Sequence, residues 1–94
     1  MAYRVLEVQP TPNPNAAKFV LDRRIAEDPT SYHTAASAAR DALASRLFEI
    51  PGVSGLLLLN DFVTVNKAPD AKWENIIARV EAVLSNITES DRQD

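Results

Sequence analysis

Cysteine is absent from the chain, and that absence removes more chemistry than any single residue supplies. Without thiolates the chain can make no disulfide, no thiolate zinc site and no cysteine-ligated iron–sulfur cluster of its own. Glycine occurs only twice, as Gly52 and Gly55, so the glycine number and the lysine of a phosphate-cradling loop are both missing. Histidine occurs once. The positions four residues either side of His33 hold Pro29 and Ser37, which denies it a helical metal pair, and no oriented partner marks it as a base. No pair of carboxylates is placed for general acid and base work. No apolar run approaches the roughly 18 residues of a membrane helix, and the opening MAYRVLEVQP lacks the apolar core of a signal peptide, so a cytoplasmic location is expected. On that expectation the sequon Asn86-Ile87-Thr88 is a chance match. The net charge is -3, and the three lysines and seven arginines are scattered, which leaves no concentrated basic footprint for nucleic acid.

What is present is the composition of one small globular domain: 94 residues, 46% apolar and 24% charged. Residues 1–87 are expected to form it, with residues 88–94, which carry no large apolar side chain, as a frayed polar tail. Its centre is the stretch LFEIPGVSGLLLLNDFVTVNK, residues 47–67. Pro51 and Gly52 suit the central positions of a type II turn leaving a helix. Asn60 and Asp61 stand between an apolar run and Phe62-Val63-Thr64-Val65, and both tolerate the positive φ of a two-residue hairpin turn. Gly55 marks a bulge or a close backbone approach. The leucines 56 to 59 put two side chains on each sheet face, so helices are expected over one face and another strand, loop or partner over part of the other. The hairpin is expected to be the stability nucleus, with Phe62 and the leucine run as its large apolar area, so Phe62→Ala is expected to cost about 3–5 kcal/mol.

Before this hairpin, residues 3–8 and 16–21 predict two antiparallel strands, and residues 22–29 a charged connection. A helix is predicted from a cap at Thr30 or Ser31 to Phe48, with Ala35, Ala36, Ala39, Leu43 and Leu47 as its inner stripe. After the hairpin, Asp70 is the predicted N-cap of a last helix whose stripe is Trp73, Ile76, Ile77, Val80, Val83, Leu84 and Ile87. On that stripe Trp73 reads as a core residue rather than a ligand-stacking one. The fold class is α+β: a two-layer sandwich in the order ββαββα, with a four-stranded, mostly antiparallel sheet and two helices on one face.

Thr11-Pro12-Asn13-Pro14-Asn15 stands apart. Two prolines and two asparagines fix nearly every backbone angle of this loop, which fits either a rigid strand connection or a recognition surface. The surface reading names Thr11, Pro12, Asn13, Pro14, Asn15 and Lys18 as partner-binding residues, presenting outward rather than bonding into the core, while Phe19 enters the core on the face opposite Lys18.

The sequence TPNPNAAKF, followed by Leu47-Phe48, Gly52-Val53, Asp61-Phe62, Val65, Lys67 and Trp73, closely resembles the N-terminal domain of the Nfu/NifU-type iron–sulfur cluster scaffold proteins. The likeness runs from Val5 to about Leu84. It departs at Val20-Leu21-Asp22, where the family often has Pro-Gly, and at Leu59, near a family glycine. In that family the cluster sits on a Cys-x-x-Cys pair of a separate domain, which this chain does not contain. The resemblance implies a non-enzymatic accessory or docking module in iron–sulfur cluster assembly, with no cofactor or metal of its own and with a cysteine-bearing assembly or client protein as partner. From the residues alone, a small-molecule-binding regulatory domain of the same architecture stands as the alternative.

Overall fold

A computed structural model describes residues 3–87; the expected tail lies outside them. The chain forms β1 (Val5–Pro10), β2 (Ala16–Leu21), β3 (Ala26–Tyr32), α1 (Ala42–Phe48), β4 (Val53–Asn60), β5 (Phe62–Lys67) and α2 (Trp73–Asn86). The strands make one antiparallel sheet in the order β1-β2-β5-β4-β3. It has five strands, not the expected four, and the element order gains a strand before the first helix.

That extra strand corrects the sequence expectation for residues 22–48. Glu27, Asp28 and Pro29 are poor strand formers, yet β3 is an edge, where charge and proline are tolerated, and its register slips between Ala26 and Thr30. Thr30 and Ser31 pair with Leu58 and Leu57 instead of capping a helix. Residues 33–40 form turns, closed by i→i+3 bonds such as Ala38 N–H to Ala35 O at 3.2 Å and by exchanged bonds between Thr34 and Ser37. Of the alanines there only Ala38 is buried; Ala35, Ala36 and Ala39 are exposed, because methyl groups bury too little area to hold a helix against a core. The helix begins at Asp41, whose carboxylate accepts from the Ala44 N–H (3.1 Å) and from the Tyr32 hydroxyl (3.0 Å). Asp70 is likewise not a cap. A turn closed by Ala71 N–H to Ala68 O (3.0 Å) carries it past, and α2 starts after Lys72, which makes no side-chain capping bond.

The hairpin follows its residue chemistry. Leu59 pairs with Phe62, and Asn60 takes the turn's positive φ of 51°. Ile50 O accepts from Val53 N–H across Pro51-Gly52, with Gly52 at φ 97°; a Cβ there would lie 2.7 Å from the Ala71 Cβ. The β4–β5 register shifts between Val53 and Gly55, the bulge that Gly55 foreshadows. Both helices cover one sheet face. The core holds Phe19, Leu21, Leu56, Leu58, Val63 and Val65 from the strands, Leu43 and Leu47 from α1, and Ile76, Val80 and Leu84 from α2.

Lys18, Val20, Leu57, Leu59, Phe62 and Thr64 fall on the other face and stay half-buried. Phe62 is therefore not a core anchor. Its pairing opposite Val20 turns it outward, where the Lys18 ammonium lies 4.3 Å from its ring centroid. Phe19 is fully buried on the helix side, as its alternation with Lys18 requires.

Candidate docking site

The loop between β1 and β2 holds itself together before it meets anything else. The Thr11 hydroxyl donates to Asn13 O (2.9 Å) or Ala16 O (3.0 Å) and accepts from the Asn13 N–H (3.1 Å). Asn13 Oδ1 accepts from the Asn15 N–H at 2.9 Å, an Asx turn, and Asn13 O accepts from the Ala16 N–H at 3.0 Å. The prolines remove the donors that would compete for these acceptors and set φ at two of five positions.

Two distant residues then fasten the loop to the body. Trp73 Nε1 at the start of α2 donates to Pro14 O (2.9 Å), and Lys67 Nζ at the end of β5 donates to Asn15 Oδ1 (3.0 Å) and Ala68 O (3.3 Å). Lys67 is only 8% exposed, the one buried charged residue among those described, and its ammonium lies 5.8 Å from the Trp73 ring centroid. A buried ammonium bonded to neutral oxygens is costly to desolvate, so the Asn15 bond helps offset that cost. Asn15 therefore bonds inward, against the expectation that the loop only presents outward. Pro12, Asn13 and Pro14 stay exposed, while Thr11 and Asn15 are half-buried.

Beside the loop runs an apolar groove of about 340 Å³ between β1 and α2, floored by Val8, Pro10, Ala17, Trp73 and Ile77 and ended by Thr11 and Pro14. It is partly open to solvent rather than enclosed. A wider cleft of about 660 Å³ lies on the other flank of α2, between Pro51-Gly52 and Lys72, Asn75 and Arg79, away from the loop. Of the expected site residues, Thr11, Pro12, Asn13, Pro14 and Asn15 thus share one corner with Lys67 and Trp73. Lys18 does not join them, because its side chain leaves on the opposite sheet face.

Sequence reasoning missed Lys67 and Trp73 as partners of the loop. The signal was available for Lys67: Val63, Val65 and Lys67 alternate onto one face, and the first two are apolar. His33 is exposed, and among the described residues no group of three histidine, aspartate or glutamate side chains could hold a metal. Nor is any described helix long and apolar enough to cross a membrane. Elsewhere, the Arg4 backbone N–H bonded to Asp22 at 3.0 Å, with Arg23 beside it at 3.5 Å, holds that carboxyl below the usual carboxylate range.

Residues 6–91 match the family model described as scaffold protein Nfu/NifU N terminal. The chain is 41% identical over 66 residues, 69% of its length and 26% of the relative's, to human NFU1 iron-sulfur cluster scaffold homolog, mitochondrial. The crystal structure of protein SAV1430 from Staphylococcus aureus superposes with a TM-score of 0.72 at 28% identity, covering 85% of this chain and 96% of that one. A NifU-like protein from Saccharomyces cerevisiae shares the fold with a TM-score of 0.78 at 24% identity, covering 89% and 76%. The chain spans about a quarter of the length of the curated relatives it matches. With the loop, Lys67 and Trp73 assembled at one corner of that shared fold, the chain belongs to the Nfu/NifU N-terminal domain family.

Proposed function

We propose that this chain is a non-enzymatic docking module of iron–sulfur cluster assembly, which holds no cluster itself and binds a cysteine-bearing assembly or client protein. The observation that supports it is the convergence of Thr11, Asn13, Asn15, Lys67 and Trp73 on one bonded network that fixes a loop and leaves Pro12, Asn13 and Pro14 in solvent. A loop ordered in advance binds without a large ordering cost, which suits a transient contact of micromolar strength. The chain has no cysteine, so soft thiolate ligands for iron must come from the partner. Lys18, on the other face, meets only a partner that reaches round the sheet.

Two measurements test this. Anaerobic incubation of the purified chain with iron and sulfide is expected to leave it colourless, and a cluster-loaded cysteine-bearing scaffold is expected to shift the amide resonances of residues 11–16. A stoichiometric cluster on the isolated chain, or shifts confined to residues remote from the loop, would overturn the proposal.

A further inference from the structure

One wall of the groove is a free strand edge. β1 is the terminal strand, paired to β2 on its inner side, and no described element pairs with its outer side. Beyond the irregularity between Val5 and Glu7, the pairs Glu7↔Val20, Val8↔Phe19, Gln9↔Lys18 and Pro10↔Ala17 are regular. The opposite edge, β3, is blunted by Glu27, Asp28, Pro29 and its own register slip. Along β1 lies α2, with Trp73 and Ile77 on the floor between them. An edge strand beside a helix, with an apolar floor, is the geometry in which an extended peptide adds as a further strand, alternate side chains entering the floor.

Charge specifies the peptide. At about 100° per residue, Glu81 and Glu74 fall about 40° and about 60° beyond Ile77, on the flank of α2 that borders the groove, and both are exposed. Lys72 and Arg79 fall on the other flank, where they line the separate cleft with Pro51 and Gly52. Glu7 is exposed on β1's outer face, and no charged side chain lines the groove itself. Lys18, which pairs with Gln9, is engaged by the Phe62 ring. Glu74 and Glu81 thus make the α2 side of the apolar floor acidic, Glu7 adds a carboxylate on the opposite face of β1, and the Lys67 ammonium at the loop end is buried and bonded to Asn15. The chain's own residues 88–94, TESDRQD, bring further carboxylates and no large apolar side chain, so they are poorly matched to it.

We propose that this groove takes an extended basic peptide added to the free edge of β1, with apolar side chains against Trp73 and Ile77 and lysine or arginine at alternate positions facing Glu7. This rests on reading the loop end of the groove as a docking surface, but not on what the partner does with a cluster.

The test uses the full chain, isotope-labelled, and a blocked peptide of about seven residues alternating lysine with valine or isoleucine, long enough to cover β1. At low salt the amides of β1 and the Trp73 indole N–H are expected to shift, with a Kd of roughly 10–100 μM. Affinity should fall severalfold as salt rises to physiological strength. Glu7→Lys, at an exposed position on the face that the peptide's lysines meet, should weaken it about tenfold. A peptide N-methylated at alternate amides, which cannot pair with a strand, should not bind. Absence of shifts at about 1 mM peptide, equal binding by the glutamate counterpart or the N-methylated form, or self-association of the free chain through β1 would each overturn the proposal. A cluster-bearing scaffold that shifts the loop but not β1 would sink this inference alone and leave the docking function standing.

Discussion

Lys67→Met isolates the tether between the loop and the body. Methionine is similar in length and unbranched, so it can fill the space of the lysine stem while deleting the ammonium and its bonds to Asn15 Oδ1 (3.0 Å) and Ala68 O (3.3 Å). A hydrogen bond from a charged donor is worth about 1.5–3 kcal/mol, and the substitution forfeits both, the longer bond to Ala68 O being the weaker. Against this stands the desolvation of an ammonium 8% exposed, which methionine recovers in part. Asn15 is half-buried, so water can satisfy its freed oxygen. The balance is a net loss of about 1–2 kcal/mol, or roughly 4–16 °C in Tm for a domain of this size. Urea melts followed by Trp73, the sole tryptophan, measure the global loss. Exchange of its indole hydrogen reports locally, because loosening residues 11–15 exposes the bond to Pro14. A variant as stable as the parent, with the indole equally protected, would refute the reasoning: desolvation would then outweigh the tether, and Asn15 would hold the loop without Lys67.

Two further outcomes are expected. Phe19→Ala, at a fully buried site, should cost about 3–5 kcal/mol in denaturant melts, whereas Phe62→Ala, half-buried beneath Lys18, should cost only about 1–2 kcal/mol; the reverse ranking would mean that the outer face is covered in solution. The depressed carboxyl of Asp22, held chiefly by the Arg4 N–H and secondly by Arg23, contributes stability that is present above the ordinary carboxylate pKa and lost as pH falls through its lowered value, so Asp22→Asn should lessen the stability lost over that acid range in urea melts taken as a function of pH.

The hairpin and α2 were legible because their residues carry local instructions. Asn60 accepts positive φ, Pro51-Gly52 turns, and the α2 stripe recurs at helical spacing with large side chains. The alanine pattern misled for the opposite reason. Ala35, Ala36 and Ala39 repeat at helical spacing, but their methyl groups stay exposed and only Ala38 is buried, and Asp41 rather than Thr30 supplies the cap. β3 was illegible because its strand character comes from the exposed edge of β4 and not from AEDPTSY itself. At the candidate site, the loop's rigidity could be read from its prolines and asparagines. The inward face of Lys67 could be read from its alternation with Val63 and Val65, but the pairings could not, since no local rule links Asn15 to Lys67 or Pro14 to Trp73.

That same distance sets when the site comes into being. The Asn15–Lys67 bond closes a separation of 52 residues and the Pro14–Trp73 bond one of 59, in a chain whose β2 must also wait for β5. Such contacts repay their loop-closure entropy only late, after the hairpin has formed locally. A nascent or partly unfolded chain therefore carries the loop sequence without its shape, and a partner that recognises the shape samples only molecules whose last helix has docked. Under the proposed docking function, recognition at this corner would double as an inspection of the finished fold.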